Sequence, residues 1–395
     1  MNDLHHLTYR FRLYPTQQQE KVLSDTMETC RRLYNNLLDE RINTGIGFYE
    51  QKRKLTKQRK EDKYLKVVHS QVLQNVVVRL DKSFQRFFTG LTRFPKFRRQ
   101  GKYNSFTYPQ QGGFKVNGNR LKLSMIGNVK IKLHRPIVEG QMMMMKTCAV
   151  IRDIDQWYAC ITTETKDTAA IPSSSINSEK KPAAVGVDVG ISCLATLSDG
   201  TIIPNPRSLN RSAAKIKRLQ KELSRKKKGS SNREKARLRL EKAWRQVRRQ
   251  RDDTAHKASR KLADNYGTII FEDLMIKNMV KNHRLASAIL DATWSKLRRL
   301  TAYKAERRGG RVILVEPRGT SQECSGCHKI VEKSLSVRTH VCPHCGLMLD
   351  RDVNAAKNIL ARGLEQTHAE TEPIPIIRIG KFSQRSKKPK AFRQE

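Results

Sequence analysis

The chain has 395 residues with 79 Lys and Arg against 37 Asp and Glu, a formal net charge of +42 and a pI near 10.3. Self-repulsion on that scale calls for a polyanionic partner, so nucleic acid is expected and an ordinary small-molecule enzyme surface is excluded. An apolar content of 37% supplies cores for two or three domains. No apolar run approaches the roughly 20 residues of a spanning helix, and the opening MNDLHHLTYR has no signal-peptide apolar region, so a cytoplasmic protein without a membrane partner is expected.

In chain order, Leu7, Tyr9, Phe11 and Leu13 alternate with His6, Thr8, Arg10 and Arg12, which is the period of a half-buried strand, and Pro15 ends it. Thr16 stands at capping-box spacing before Gln19, and Leu23, Met27, Cys30, Tyr34 and Leu37 then recur at helical intervals. A second amphipathic stripe carries Leu73, Val76, Leu80, Phe84 and Phe87. Residues 16–92 therefore read as a helical insertion into a β-rich module made of residues 1–15 and 93–165.

The strand pattern resumes with Asn117-Gly118 as a hairpin turn before Leu121 and Leu123, followed by Val129, Ile131 and Leu133. A hairpin is expected from Cys148–Val150 to Trp157–Ile161, and Met142 to Met145 read as a hydrophobic loop. Residues 166–182 are polar with Ser and Pro and read as a linker. Beyond it, strands at 183–189, 193–197, 268–271 and 312–315 mix with helices, the pattern of an α/β domain over residues 183–323 and 346–365. The basic tail 366–395 has no periodicity and is expected to be disordered.

Three acids stand out in the α/β domain. Asp188 is a lone carboxylate in the apolar strand VGVDVG, with Gly186 and Gly190 keeping the backbone around it clear. Glu272 and Asp273 end the strand TIIFEDL, and neighbours on a strand face apart, so only one can share a site with Asp188. Asp350 and Asp352 open a helix in LDRDVNAAKNIL, where Asp350 can serve as the N-cap and leave Asp352 to project elsewhere. Taken singly, each acid reads more readily as a cap or a structural ion pair than as a metal ligand. Together they suit two Mg²⁺ ions, hard cations that prefer oxygen ligands and support in-line phosphodiester cleavage.

Cys324, Cys327, Cys342 and Cys345 form CxxC, fourteen residues and CxxC, the spacing of two knuckles around one structural Zn²⁺, so residues 324–345 read as a zinc ribbon. Four thiolates close such a site, and His328, His340 and His344 then read as solvated or phosphate-facing. Cys30, Cys148, Cys160 and Cys193 read as small buried hydrophobes.

Two segments carry the excess charge. Residues 215–262 read as a helical hairpin broken at Gly229-Ser230-Ser231, with Ile216, Leu219 and Leu223 packing against Leu240, Trp244 and Val247. Its other faces offer Lys226, Lys227, Lys228, Arg245, Arg248 and Arg249 to phosphates. The segment RFPKFRRQGKYNSFTYP interleaves rings with Arg93, Lys96, Arg98, Arg99 and Lys102, a pattern for holding phosphates and stacking bases. Tyr103, Asn104 and Ser105 are further candidate contacts there.

YRFRLYPT, FPKFRR, SFTYP, GVDVG, FEDL, the CxxC pair and DRDVNAAKNI occur in the order in which the TnpB (OrfB) family of insertion-sequence proteins carries them. The resemblance extends to about residue 365. It implies an RNase H-like (RuvC-like) nuclease domain with an inserted zinc ribbon, preceded by a β-barrel-like wedge module with a helical insertion, related to the smaller type V CRISPR nucleases. The family's catalytic acids fall on Asp188, Glu272 and Asp352, which selects Asp352 over Asp350, and its zinc ligands on the four clustered cysteines. The implied partners are a guide RNA from the element's own end and a double-stranded DNA target beside a short motif, bound by a monomer in a prokaryotic cytoplasm. His328 stands where the family often has glycine. A strand-joining transposase or accessory DNA-binding protein is the competing expectation. A catalytically inactive RNA-guided repressor is disfavoured because all three acids are present.

Overall fold

The computed structural model describes residues 5–135, 143–165, 184–334 and 337–369. The expected linker 166–182 and nearly all of the expected tail lie outside them; residues 366–369 are the last turn of a helix. The chain divides into two compact units, Met1–Ser175 and Ile176–Glu395. No helix among the described residues is long and apolar enough to cross a membrane.

The first unit opens with β1 (His5–Tyr14), α1 (Gln17–Thr44), α2 (Phe48–Glu61), α3 (Lys63–Lys66) and α4 (Ser70–Phe88). It continues with β2 (Ser105–Tyr108), β3 (Phe114–Asn117), β4 (Arg120–Leu123), β5 (Gly127–Lys132), β6 (Met143–Asp153) and β7 (Gln156–Thr165). Its strands form one antiparallel sheet in the order β2-β6-β7-β1-β5-β4-β3. No ladder joins β2 to β3 among the described residues, so the hydrogen bonding is that of an open sheet and not of a closed barrel.

Local chemistry sets the start of α1: the Thr16 side chain accepts from the Gln19 amide at 3.3 Å and the Gln19 side chain accepts from the Thr16 amide at 3.1 Å. Leu23, Met27, Cys30, Tyr34 and Leu37 are buried, as are Leu73, Val76, Leu80 and Phe84 of α4. Two helices were legible between residues 16 and 92; α2 and α3 add to them, and buried Gln51 of α2 donates to the Leu37 carbonyl at 2.7 Å. Met143 to Met145 correct the expected loop: they open β6, with Met144 exposed and Met145 buried, because apolar residues in alternation satisfy a half-buried strand. Met142 lies outside the described residues.

The second unit contains β8 (Ala184–Asp188), β9 (Cys193–Leu197), β10 (Ile202–Pro204), α5 (Ser208–Ser224), α6 (Ser231–Asn265), β11 (Thr268–Glu272), α7 (Ile276–Met279), α8 (His283–Ala292) and α9 (Trp294–Glu306). It ends with β12 (Arg311–Val315), β13 (Thr339–Val341), β14 (Met348–Asp350) and α10 (Arg351–Ala369). The sheet order is β10-β9-β8-β11-β12, with β8, β11 and β12 parallel and β9 antiparallel to β8.

Strand alternation divides this sheet into two faces. Val185, Val187, Ile269 and Phe271 pack with Leu262 of α6 and Leu297 of α9. Ile270 and Val315 pack with Ile359 of α10 on the other face. A Cβ on Gly186 would lie 2.0 Å from the Ala356 carbonyl oxygen, so α10 rests on bare β8 backbone. Gly363 plays the reciprocal part, since a Cβ there would meet Ile270 side-chain atoms at 2.5 to 2.8 Å.

Candidate active site and cysteine module

Asp188 has the strand parity of Gly186, and Glu272 that of Ile270, so both carboxylates end neighbouring parallel strands on the face that α10 covers. Asp352 stands one turn before Ala356, at the start of that helix. Their charges interact: the Asp188 carboxyl is held well above the usual carboxylate range, first by burial and then by Glu272 and Asp352. Burial also raises Glu272, against the hydrogen bond from Thr320.

Asp273 leaves the site by alternation and pairs with Arg298 at 2.7 Å. Asp350 caps α10, accepting from the amides of Asp352 at 2.8 Å and Val353 at 3.2 Å. Asp352 is held by Arg351 at 3.0 Å and Arg338 at 3.4 Å. Among the described residues the Asp188 carboxylate has neither a hydrogen bond nor an ion pair. Asp188 and Glu272, buried at neighbouring strand ends near Asp352, offer oxygen donors of the kind a hard divalent cation prefers.

The four cysteine sulfurs lie within 4.8 Å of one another, with Cys324–Cys345 at 3.6 Å and Cys327–Cys342 at 3.5 Å. Disulfides, at about 2.05 Å, are excluded, and four thiolates at about 2.3 Å from a tetrahedral zinc ion would stand about 3.8 Å apart, so the cluster fits zinc. β14 pairs with β13, so the hairpin of this module runs past Cys345 to Asp350, beyond the expected boundary.

The histidines correct one expectation and explain a departure. His340 is fully buried beside Lys333, not solvated. His328 is left-handed, with φ +59, and its ring contacts Glu323 at 3.0 Å. That backbone geometry is the physical reason a glycine would suit the position.

Sequence reading missed the residues that join this module to the carboxylates. Thr320, buried, donates its hydroxyl to Glu272. Asn354 accepts from the Ser325 amide at 2.9 Å and donates to the Glu323 carbonyl at 2.7 Å. Asn358 donates to the carbonyls of Thr320 at 2.9 Å and Glu323 at 2.7 Å. Arg362, one turn on, donates to the carbonyls of Glu316 and Arg318 and pairs with Glu323 at 2.7 Å. The available signal was two asparagines four residues apart on the apolar face of DRDVNAAKNIL, since buried amides require partners.

The expected nucleic-acid contacts fare unevenly. Arg93, Lys96, Arg98, Arg99 and Lys102 are exposed, as are Lys226, Lys227 and Lys228 between α5 and α6. Arg248 and Arg249 are exposed and have partners within the chain. Arg245 is a correction: it is buried and has a partner within the chain, and, two residues from both Ala243 and Val247, it stands on the face of α6 opposite theirs, so this helix is covered on more than one side. Trp244 is exposed, with Ala243 taking the packing place expected for the indole. Tyr103 packs beside Tyr34, with its hydroxyl pushed up to about 12 by burial, and so serves the core. Asn104 is exposed, its carbonyl accepting from the Arg152 amide at 2.8 Å, while Ser105 pairs with Ile151 as β2 begins.

A mixed α/β unit with paired strand-end carboxylates and a four-cysteine module beside them is the class defined by this geometry. Comparison with known proteins agrees. The family described as "Probable transposase" matches residues 160–283, and "Cas12f1-like, TNB domain" matches residues 294–359. A model described as "Helix-turn-helix domain" matches residues 1–45, of which the described residues form β1 and the long helix α1. A Streptomyces pristinaespiralis protein named "Putative RNA-guided DNA endonuclease" is 33% identical over 90% of this chain and 89% of its own length. An Escherichia coli protein of the same description is also 33% identical, over 90% of this chain and 92% of its own. The solved "Cas12f1-sgRNA-target DNA complex" shares the fold at a TM-score of 0.55 and 12% identity, covering 90% of this chain and 98% of that one. The chain belongs to the TnpB (OrfB) family of insertion-sequence proteins.

Proposed function

We propose that the protein is an RNA-guided DNA endonuclease with an RNase H-like (RuvC-like) core, cutting double-stranded DNA beside a short adjacent motif. The observation that carries this reading is the placement of Asp188 and Glu272 at neighbouring strand ends on the face that α10 covers, with Asp352 at the start of that helix, within a chain of net charge +42. Relatives that span nearly the whole chain carry the matching name.

Asp188 and Glu272 would hold two Mg²⁺ ions from the strand ends, and Asp352 would join them on exchanging Arg351 and Arg338 for a cation. When bound, such ions supply an activated water and neutralise the leaving oxygen. Thr320 fixes the rotamer of Glu272, and α10 fixes the height of Asp352 above the sheet. Cys324, Cys327, Cys342 and Cys345 would bind one structural Zn²⁺. The guide RNA would read sequence by base pairing, leaving the protein to grip backbone and shape as a monomer.

The test is incubation of the purified protein and its copurifying RNA with a plasmid bearing the guide match and flanking motif. RNA-dependent, Mg²⁺-dependent cutting that Asp188→Ala abolishes is expected. Joining of strands without any RNA requirement would instead establish the transposase reading.

A further inference from the structure

The end of α4 and the strap that follows it carry a surface that the carboxylate site does not use. Phe84 is buried at its root. From it the rings lead outward: Phe88 stacks on Phe84 at 6.2 Å, Phe87 meets Phe88 at 5.4 Å, and Phe94 stands edge-on to Phe84 at 5.5 Å and Phe87 at 5.2 Å. Phe88 is nevertheless 76% exposed and Phe97 53% exposed.

The strap has no helix or strand between residues 93 and 99, yet its backbone is tied down. Asn35 accepts from the Arg98 amide at 2.7 Å and donates to the Arg98 carbonyl at 3.1 Å, and Arg31 donates to the same carbonyl at 2.9 Å. Pro95 is buried, and the Arg98 guanidinium lies over the Tyr34 ring at 5.5 Å. Residues 82–104 contain seven Lys and Arg and no Asp or Glu. Arg86, Arg93, Lys96 and Arg99 are exposed and make no ion pair among the described residues.

We propose that this surface is a stacking platform for an unpaired nucleic-acid strand. Phe88 and Phe97 take bases face-on, and Arg86, Arg93, Lys96 and Arg99 take the phosphates between them. Every base has a π-face, so the platform tolerates any sequence. The uncompensated charge selects a polyanion over an apolar protein partner, and it repels a second copy of this basic chain. The proposal rests on nucleic acid being the partner and is independent of the carboxylates.

The test uses the full-length chain in Mg²⁺-free buffer, where labelled oligothymidylate and oligouridylate are titrated across salt concentrations, with polyphosphate as a base-free competitor. Phe88→Ala is expected to weaken oligonucleotide binding about ten-fold, with polyphosphate competition and the salt slope unchanged, and Phe88→Trp is expected to restore it. Arg93→Ala is expected to weaken both ligands and lower the salt slope by about one. A response with only one oligonucleotide supports the platform and assigns it to that strand chemistry. Unchanged affinity in Phe88→Ala overturns the proposal, as does an equal loss toward polyphosphate, which would mean the ring serves the fold. A changed oligomeric state with unchanged oligonucleotide affinity also overturns it, in favour of a protein contact. If the unaltered chain binds neither oligonucleotide, the nucleic-acid reading fails as a whole; if binding persists independently of the rings, only the platform fails.

Discussion

Gly186 on β8 and Ala356 on α10 touch backbone to backbone: a methyl group at position 186 would sit 2.0 Å from the Ala356 carbonyl oxygen. That contact sets how closely the helix bearing Asp352 approaches the strand bearing Asp188. Gly186→Ala must push α10 away, since no flexible side chain is there to yield. A loss of about 3 kcal/mol or more is expected, together with loss of cleavage, while zinc content stays at one ion per chain. Thermal unfolding, a cleavage assay and metal analysis check it; normal cutting by this variant would show that the spacing does not matter.

Asp188 is desolvated beside two other acids, and its folded pKa is raised. The stability cost of ionising it is therefore full above that folded pKa, shrinks as the pH falls below it, and is gone only below the ordinary carboxylate range, where the unfolded chain is protonated too. Asp188→Asn is expected to abolish cleavage while raising the midpoint of the Mg²⁺-free protein near neutral pH by about 2–4 °C, the shift that about 1 kcal/mol produces in a unit of this size. The gain should shrink in acid. Calorimetry at several pH values without divalent ions would detect this, and a lowered midpoint at neutral pH contradicts the account.

Thr320 donates to Glu272 from a buried position. Thr320→Val removes that donor and leaves a desolvated carboxylate short of a partner, at an expected cost of about 1–3 kcal/mol. Cleavage should need more Mg²⁺ for half-maximal rate. Thr320→Ser, which keeps the hydroxyl, should recover most of the Mg²⁺ response, and failure to do so would assign the effect to packing.

The cysteine module and the carboxylate face share α10, through the hydrogen bonds of Asn354 and Asn358 to Glu323, Ser325 and Thr320. Removing zinc with a chelator, or substituting Cys324→Ser, is expected to release the segment around Arg338 and depress cleavage at least ten-fold. Hydrogen exchange should rise first in residues 320–350 and at the start of α10, leaving the first unit unaffected. Full activity in a zinc-free chain would refute the coupling.

Much of this was legible in the sequence because it rests on local rules. The alternation in His5–Tyr14, the Thr16 capping box, the helical stripes of α1 and α4 and the paired CxxC units each depend on spacing within a few residues. The choice of Glu272 over Asp273 follows from strand alternation alone, and the capping of α10 by Asp350 from helix-end chemistry.

Tertiary packing decided what local spacing left undetermined. Ala243 rather than Trp244 packs with α5, Arg245 is buried on the opposite face of α6, and Tyr103 serves the core, because the neighbouring elements decide which faces of a helix or strap are covered. His328 and His340 carry no signal of their own: one takes its place from a left-handed backbone, the other from the side chains around it. The ladder of Thr320, Asn354, Asn358 and Arg362 joins segments more than thirty residues apart. The sequence alone determined which acids and cysteines could act. The approach of α10 to β8 across Gly186 decided how near Asp352 comes to Asp188, because carboxylates distant in sequence interact only where the packing of backbones brings them together.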